Sequence, residues 1–89
     1  MTDSALKKRI HDSLKIGYFE SPDDLVDVSD GPADDIHVVV VSRKFDGRRW
    51  KDRDDLLWSE LSRSLGEDEL GQISLLIAAS PEEVKTVAP

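Results

Sequence analysis

The side chains best suited to chemistry in this chain stand together between Arg43 and Arg53. In RKFDGRRWKDR six of eleven residues are cationic, namely Arg43, Lys44, Arg48, Arg49, Lys51 and Arg53, and Phe45 and Trp50 are interleaved with them. If the rings are exposed, this is the equipment of a nucleic-acid site. Cations neutralise phosphates, and an aromatic face stacks a base for about 1–3 kcal/mol. If the rings are core anchors that tie the turn down, the basic turn and the helix start after it become a surface for a protein partner.

Charge partition sharpens this choice. The chain carries 12 Lys+Arg against 19 Asp+Glu, a net −7, yet the basic segment by itself is +4 and the rest of the chain −11. From Glu20 to Asp35 there are seven acids and no base. The long-range field repels nucleic acid and anionic lipid from most of the surface, and that objection does not extend to the one loop.

Other chemistries find less to work with. There is no cysteine, so disulfides, thiolate ligands and cysteine nucleophiles are absent. His11 falls on a solvated helix side and His37 alternates into a strand face. Asp35, His37 and Asp54 are the candidate metal ligands. Asp27, Asp30 and Gly31 stand at the wrong offsets for a calcium loop. No nucleophile turn or glycine-rich phosphate loop is present, and Asp54 and Asp55 are neighbours that diverge on a helix start. The expectation is a non-enzymatic protein. The longest apolar runs are about six residues where a membrane span needs ~20, and no signal-peptide stretch opens the chain, so a cytoplasmic address without a membrane partner is expected.

The elements that must position these residues follow from periodicity. Leu6, Ile10 and Leu14 recur every four residues and predict a helix over 3–16, with Tyr18 and Phe19 sealing the core. Leu25 to Ser29 alternates as a strand, Asp30-Gly31-Pro32 turns it, and Ile36 to Ser42 is a β-branched strand covered on much of both faces. Phe45-Asp46-Gly47 is a turn. Asp52 is the expected N-cap of a helix whose stripe is Leu57, Trp58, Leu61 and Leu65, closed by Gly66. A short turn over 67–70 precedes a strand, Gln72 to Ala79, with Ile73, Leu75 and Ile77 on one side. Ser80, Pro81 and Glu83 then form a helix-start box. A short acidic turn pairs the first two strands antiparallel, and the helical connection makes the third parallel. One α/β sandwich domain over 1–89 is expected, with a mixed three-stranded sheet and helices on one face; the oligomeric state that goes with it is a monomer or weak homodimer.

With that order in hand, VVVVSRKFDGRRWKDRDDLLWSELSRSL resembles the core of the BolA family. Val41-Ser42, Phe45, Gly47, Arg53, Trp58 and Leu61 fall without a gap on its Val-Ser, Phe-x-Gly, Arg-His-Arg and helix positions, and ISLLIAASPEEV resembles its last strand and Thr-Pro-Glu-Glu-Trp ending. The resemblance covers roughly residues 4–85. It implies a class II KH-like fold without the Gly-x-x-Gly loop, and a non-enzymatic partner of monothiol glutaredoxins in iron and iron–sulfur homeostasis, sharing a [2Fe–2S] cluster. Some members are proposed transcription regulators, so a KH-like nucleic-acid module using residues 43–53 is the alternative. The family's cluster ligand is the histidine of Arg-His-Arg, where Asp54 stands here, aided by a residue in the turn around Asp35 and Ile36. Ser74 replaces a histidine often seen on the last strand. A hard carboxylate is a less usual ligand for cluster iron than imidazole.

Overall fold

Hydrophobic period decides which side chains reach the core, and a computed structural model describes the result for residues 4–87. The elements are α1 (Ser4–Gly17), β1 (Leu25–Asp30), β2 (Ile36–Val41), a 3-10 turn (Arg43–Phe45), α2 (Trp50–Ser62), α3 (Glu67–Leu70), β3 (Ile73–Ala79) and α4 (Pro81–Val87). Asp3, at the start of the expected first helix, lies outside the described residues. The sheet order is β1-β2-β3, antiparallel between β1 and β2 and parallel between β2 and β3. α1 lies over β1, α2 lies over β3, and the two helices touch. The expected mixed sheet with its helices on one face is what forms.

The core follows the stripes. Leu6, Ile10 and Leu14 of α1 and Leu57 and Leu61 of α2 meet Val26, Ile36, Val38 and Val40, and the Phe19 and Phe45 rings close one end with centroids 5.4 Å apart. Among the described residues no helix is long and apolar enough to cross a membrane.

β3 departs from simple alternation. Ile36 stands opposite Ile73 but His37 opposite Leu75, so the ladder slips by one residue at its start. Such a bulge reverses side-chain parity. Ile73 therefore faces α1 and α2 together with Leu76 and Ala78, whereas Leu75 and Ile77 turn to the opposite face, 41% and 37% exposed. Beside them β2 presents His37, Val39 and Val41, half-buried rather than covered.

α2 also starts earlier than expected. Gly47, at φ 74°, re-aims the chain after the 3-10 turn, and the helix begins at Trp50 with Arg49 as a cap that lacks a side-chain bond. Asp52 is not the cap; it sits in the first turn, where the helix dipole favours its charge. The box at α4 does form: the Ser80 N–H donates to Glu83 Oε1 at 2.8 Å and the Glu83 N–H to Ser80 Oγ at 3.4 Å.

In the β1–β2 turn, Gly31 lies against the ends of two side chains. A Cβ there would lie 1.9 Å from Asp35 Oδ1 and 2.8 Å from His37 Nε2. Gly31→Ala is expected to lower stability by about 1 kcal/mol through this overpacking, read from urea unfolding.

Candidate functional site

The site is the corner where β2 hands over to α2, and its foundation is polar. The Ser42 N–H donates to Ala79 O at 3.0 Å, tying the end of β2 to β3. Ser42 is fully buried; its hydroxyl donates to Asp24 Oδ1 at 2.6 Å and accepts the Lys44 N–H at 3.1 Å, which starts the 3-10 turn. Lys44 Nζ reaches Asp24 Oδ2 at 2.6 Å and lies 5.5 Å from the centre of the Tyr18 ring. Burial pushes the Asp24 carboxyl up, but the hydrogen bonds from Lys44 and Ser42 outweigh it and hold its pKa below the usual value.

A second polar knot fixes the start of α2. Arg53 is buried, and its Nε donates to Arg48 O at 3.0 Å while Nη1 donates to Ala78 O at 3.3 Å and pairs with Glu83 Oε1 at 2.6 Å. Its guanidinium carbon is 4.8 Å from the Trp50 ring centroid and 5.9 Å from that of Phe45. The hydrogen bond from Arg53, with the Ser80 N–H behind it, takes the Glu83 carboxyl down to about 2.

These two knots divide the eight cationic and aromatic candidates. Lys44 and Arg53 are each paired with a carboxylate of the fold, Lys44 half-buried and Arg53 buried. The two rings have opposite fates as well. Phe45 is fully buried, and Trp50 is 66% exposed although its ring rests on Arg53. Around it Arg43, Arg48, Arg49 and Lys51 are all exposed. So are Asp46, Asp52, Asp54 and Asp55, so the local excess of positive charge seen along the sequence is largely offset at the surface.

Burial of Arg53 is the feature that sequence reasoning missed. Its signal was there: Arg53 precedes Leu57 by four residues and Leu61 by eight, which puts it on the buried stripe.

The candidate metal ligands are not brought together. Asp35 and His37 flank the start of β2 over Gly31, where a hydrogen bond with Ser74 lowers the Asp35 pKa. Asp54 lies one residue past Arg53, whose contact with Ala78 places it at the other end of the sheet, roughly 20 Å away along β2. Among the described residues no group of three or more His, Cys, Asp or Glu is placed to hold a metal ion. The chain has no cysteine to supply a thiolate ligand.

The knots make the corner acid-sensitive. Asp24 and Glu83 have folded-state pKa values below their ordinary 3.8 and 4.5. The stabilisation they give is therefore complete above those ordinary values and is lost as the pH falls from 4.5 toward 2. Urea unfolding between pH 7 and pH 2 is expected to show this decline, and Asp24→Asn is expected to flatten its Asp24 share.

No family model, no curated protein and no solved structure matches the chain.

Proposed function

We propose that this chain is a BolA-like, non-enzymatic interaction module that docks a protein partner on the Trp50 corner. One observation carries this reading: a tryptophan two-thirds exposed to solvent rests its ring on a buried arginine that is itself paired with Glu83. Solvent exposure of so large a ring is costly, and preorganising it removes part of the ordering cost of binding. Trp and Arg side chains, here Trp50 with Arg48 and Arg49, are the residues that most often anchor protein interfaces.

Charge chooses the partner class. Nucleic-acid affinity grows with the number of phosphates neutralised, and with Lys44 and Arg53 paired internally and four aspartates beside the remaining cations, little net positive charge is left. A mixed-charge rim around an aromatic centre suits a protein surface instead. The partner the resemblance names is a monothiol glutaredoxin, and because the chain supplies no thiolate ligand, the complex is expected to form equally with the cluster-free protein.

Calorimetric titration with cluster-free monothiol glutaredoxin tests this. The expected result is a one-to-one complex that Trp50→Ala weakens about tenfold or more, a loss of about 1.4 kcal/mol, with folding stability changed by less than about 1 kcal/mol. An absence of binding removes the inherited partnership. Low-salt binding of single-stranded DNA or RNA that Arg48→Ala and Arg49→Ala abolish would transfer the corner to the nucleic-acid reading.

A further inference from the structure

We infer that α4 is a latch for the Trp50 corner: the start of α4 at Ser80 and Glu83 and the Arg53 support beneath the Trp50 ring form and dissolve together. This inference rests on the corner being a docking surface and names what sets its state.

One oxygen joins the two structures. Glu83 Oε1 accepts the Ser80 N–H at 2.8 Å and, from 30 residues away, Arg53 Nη1 at 2.6 Å. The first bond requires the carboxylate to fold back over the first turn of its own helix. That turned-back position is also the one that sets the carboxylate against Arg53. Unwinding α4 therefore withdraws the counter-charge of Arg53, and withdrawing Arg53 removes the stronger, charge-assisted bond that holds Glu83 back.

Arg53 needs that counter-charge. The residue is 5% exposed, and its other hydrogen-bond partners, Arg48 O at 3.0 Å and Ala78 O at 3.3 Å, are neutral carbonyls. A buried guanidinium left with carbonyls alone is an uncompensated charge, so it is driven toward water. Trp50, whose ring centroid is 4.8 Å from the guanidinium carbon, then loses the surface under it.

The burial of α4 lets it act in this way. Its seven residues are below the ~12–15 at which an isolated helix becomes even marginally stable in water, so α4 depends on its attachments. α1 buries Leu6, Ile10 and Leu14 and α2 buries Leu57 and Leu61, whereas over 81–84 Pro81 and Glu83 are half-buried and Glu82 and Val84 exposed. Segments with few buried apolar side chains open at the lowest free energies in a fold. The boundary falls at Ser80, which is buried and follows Ala79, itself bonded to Ser42 at the end of β2. Linkage makes the coupling reciprocal: a partner that binds the supported Trp50 ring also stabilises α4.

Amide hydrogen exchange and Trp50 fluorescence anisotropy of the whole chain, in the Trp58→Phe background, test the inference from both ends. Val84→Pro strikes α4 alone: Val84 is 44% exposed and its N–H donates to Ser80 O at 3.2 Å, so proline removes that bond while Arg53, Glu83 and Trp50 stay unsubstituted. Its expected effect is a fall of the Trp50 anisotropy toward that of Arg53→Met. From the other end, Arg53→Met is expected to speed exchange of the Val84 N–H about fivefold or more relative to the amides of α1. Glu83→Gln keeps an oxygen for Ser80 but loses the charge, and is expected to move both readouts in the same directions by less. A Val84→Pro chain with wild-type anisotropy, or a Val84 N–H whose exchange is unchanged in both Arg53→Met and Glu83→Gln, overturns the inference. Both readouts are taken without a partner, so this failure is distinct from a failure of the titration above.

Discussion

Phe45→Ala is expected to lower folding stability by about 3–5 kcal/mol, the largest effect of any single change at the corner. Phe45 is fully buried, its ring packs on Phe19 with centroids 5.4 Å apart, and Arg53 lies above it. Truncation removes the transfer free energy of the ring and leaves a cavity under the 3-10 turn, where Ser42, Lys44 and Asp24 are bonded in fixed directions and cannot collapse inward. For a domain of this size, whose stability is about 4–13 kcal/mol, the variant is close to unfolding at 37 °C. Urea unfolding followed by circular dichroism measures the loss. A value below about 1.5 kcal/mol would mean that Phe45 does not anchor the turn.

Arg53→Met is the second large effect, about 2–3 kcal/mol. Methionine replaces the aliphatic length of arginine but leaves Ala78 O and Arg48 O without their donor, and each unsatisfied buried carbonyl costs about 1–3 kcal/mol before local relaxation. Glu83 loses its cation at the same time, which brings its pKa back toward its ordinary value and reduces its part of the acid sensitivity, the Ser80 bonds remaining. A double-mutant cycle with Glu83→Gln separates the ion pair from the carbonyl contacts. The variant also has a functional signature. Without the guanidinium beneath it, the Trp50 ring loses its support, so in a Trp58→Phe background its fluorescence anisotropy is expected to fall while the fold persists.

The parts of this fold that depend on period were legible in the residues. Leu6, Ile10 and Leu14 place α1, the β-branched run from Ile36 places β2, and Ser80 with Glu83 marks the start of α4. Parity in β3 was not legible, because a bulge at its first residue arises from the meeting of two strands and leaves no mark in either. The start of α2 was misread for a related reason. Asp52 has the chemistry of a cap, but the turn geometry set by Gly47 decides where the helix begins.

The candidate site was legible only in outline. Six cations in eleven residues point to a surface, and that description holds for Arg43, Arg48, Arg49 and Lys51. Lys44 and Arg53 look the same in sequence, yet their partners Asp24 and Glu83 stand 20 and 30 residues away and are brought to them only by the tertiary fold. Phe45 and Trp50 likewise differ only in direction: one lies under the turn and the other on the first residue of a helix.

The central claim is that Trp50 and its neighbours are where this chain meets a protein partner. Amide chemical-shift mapping of the chain against cluster-free monothiol glutaredoxin tests it most directly. Shifts are expected at the Trp50 indole N–H and at the amides of Arg43, Arg48, Arg49 and Lys51, with the β1–β2 turn around Asp35 and His37 unchanged. Shifts confined to that turn, or none anywhere, would contradict the claim.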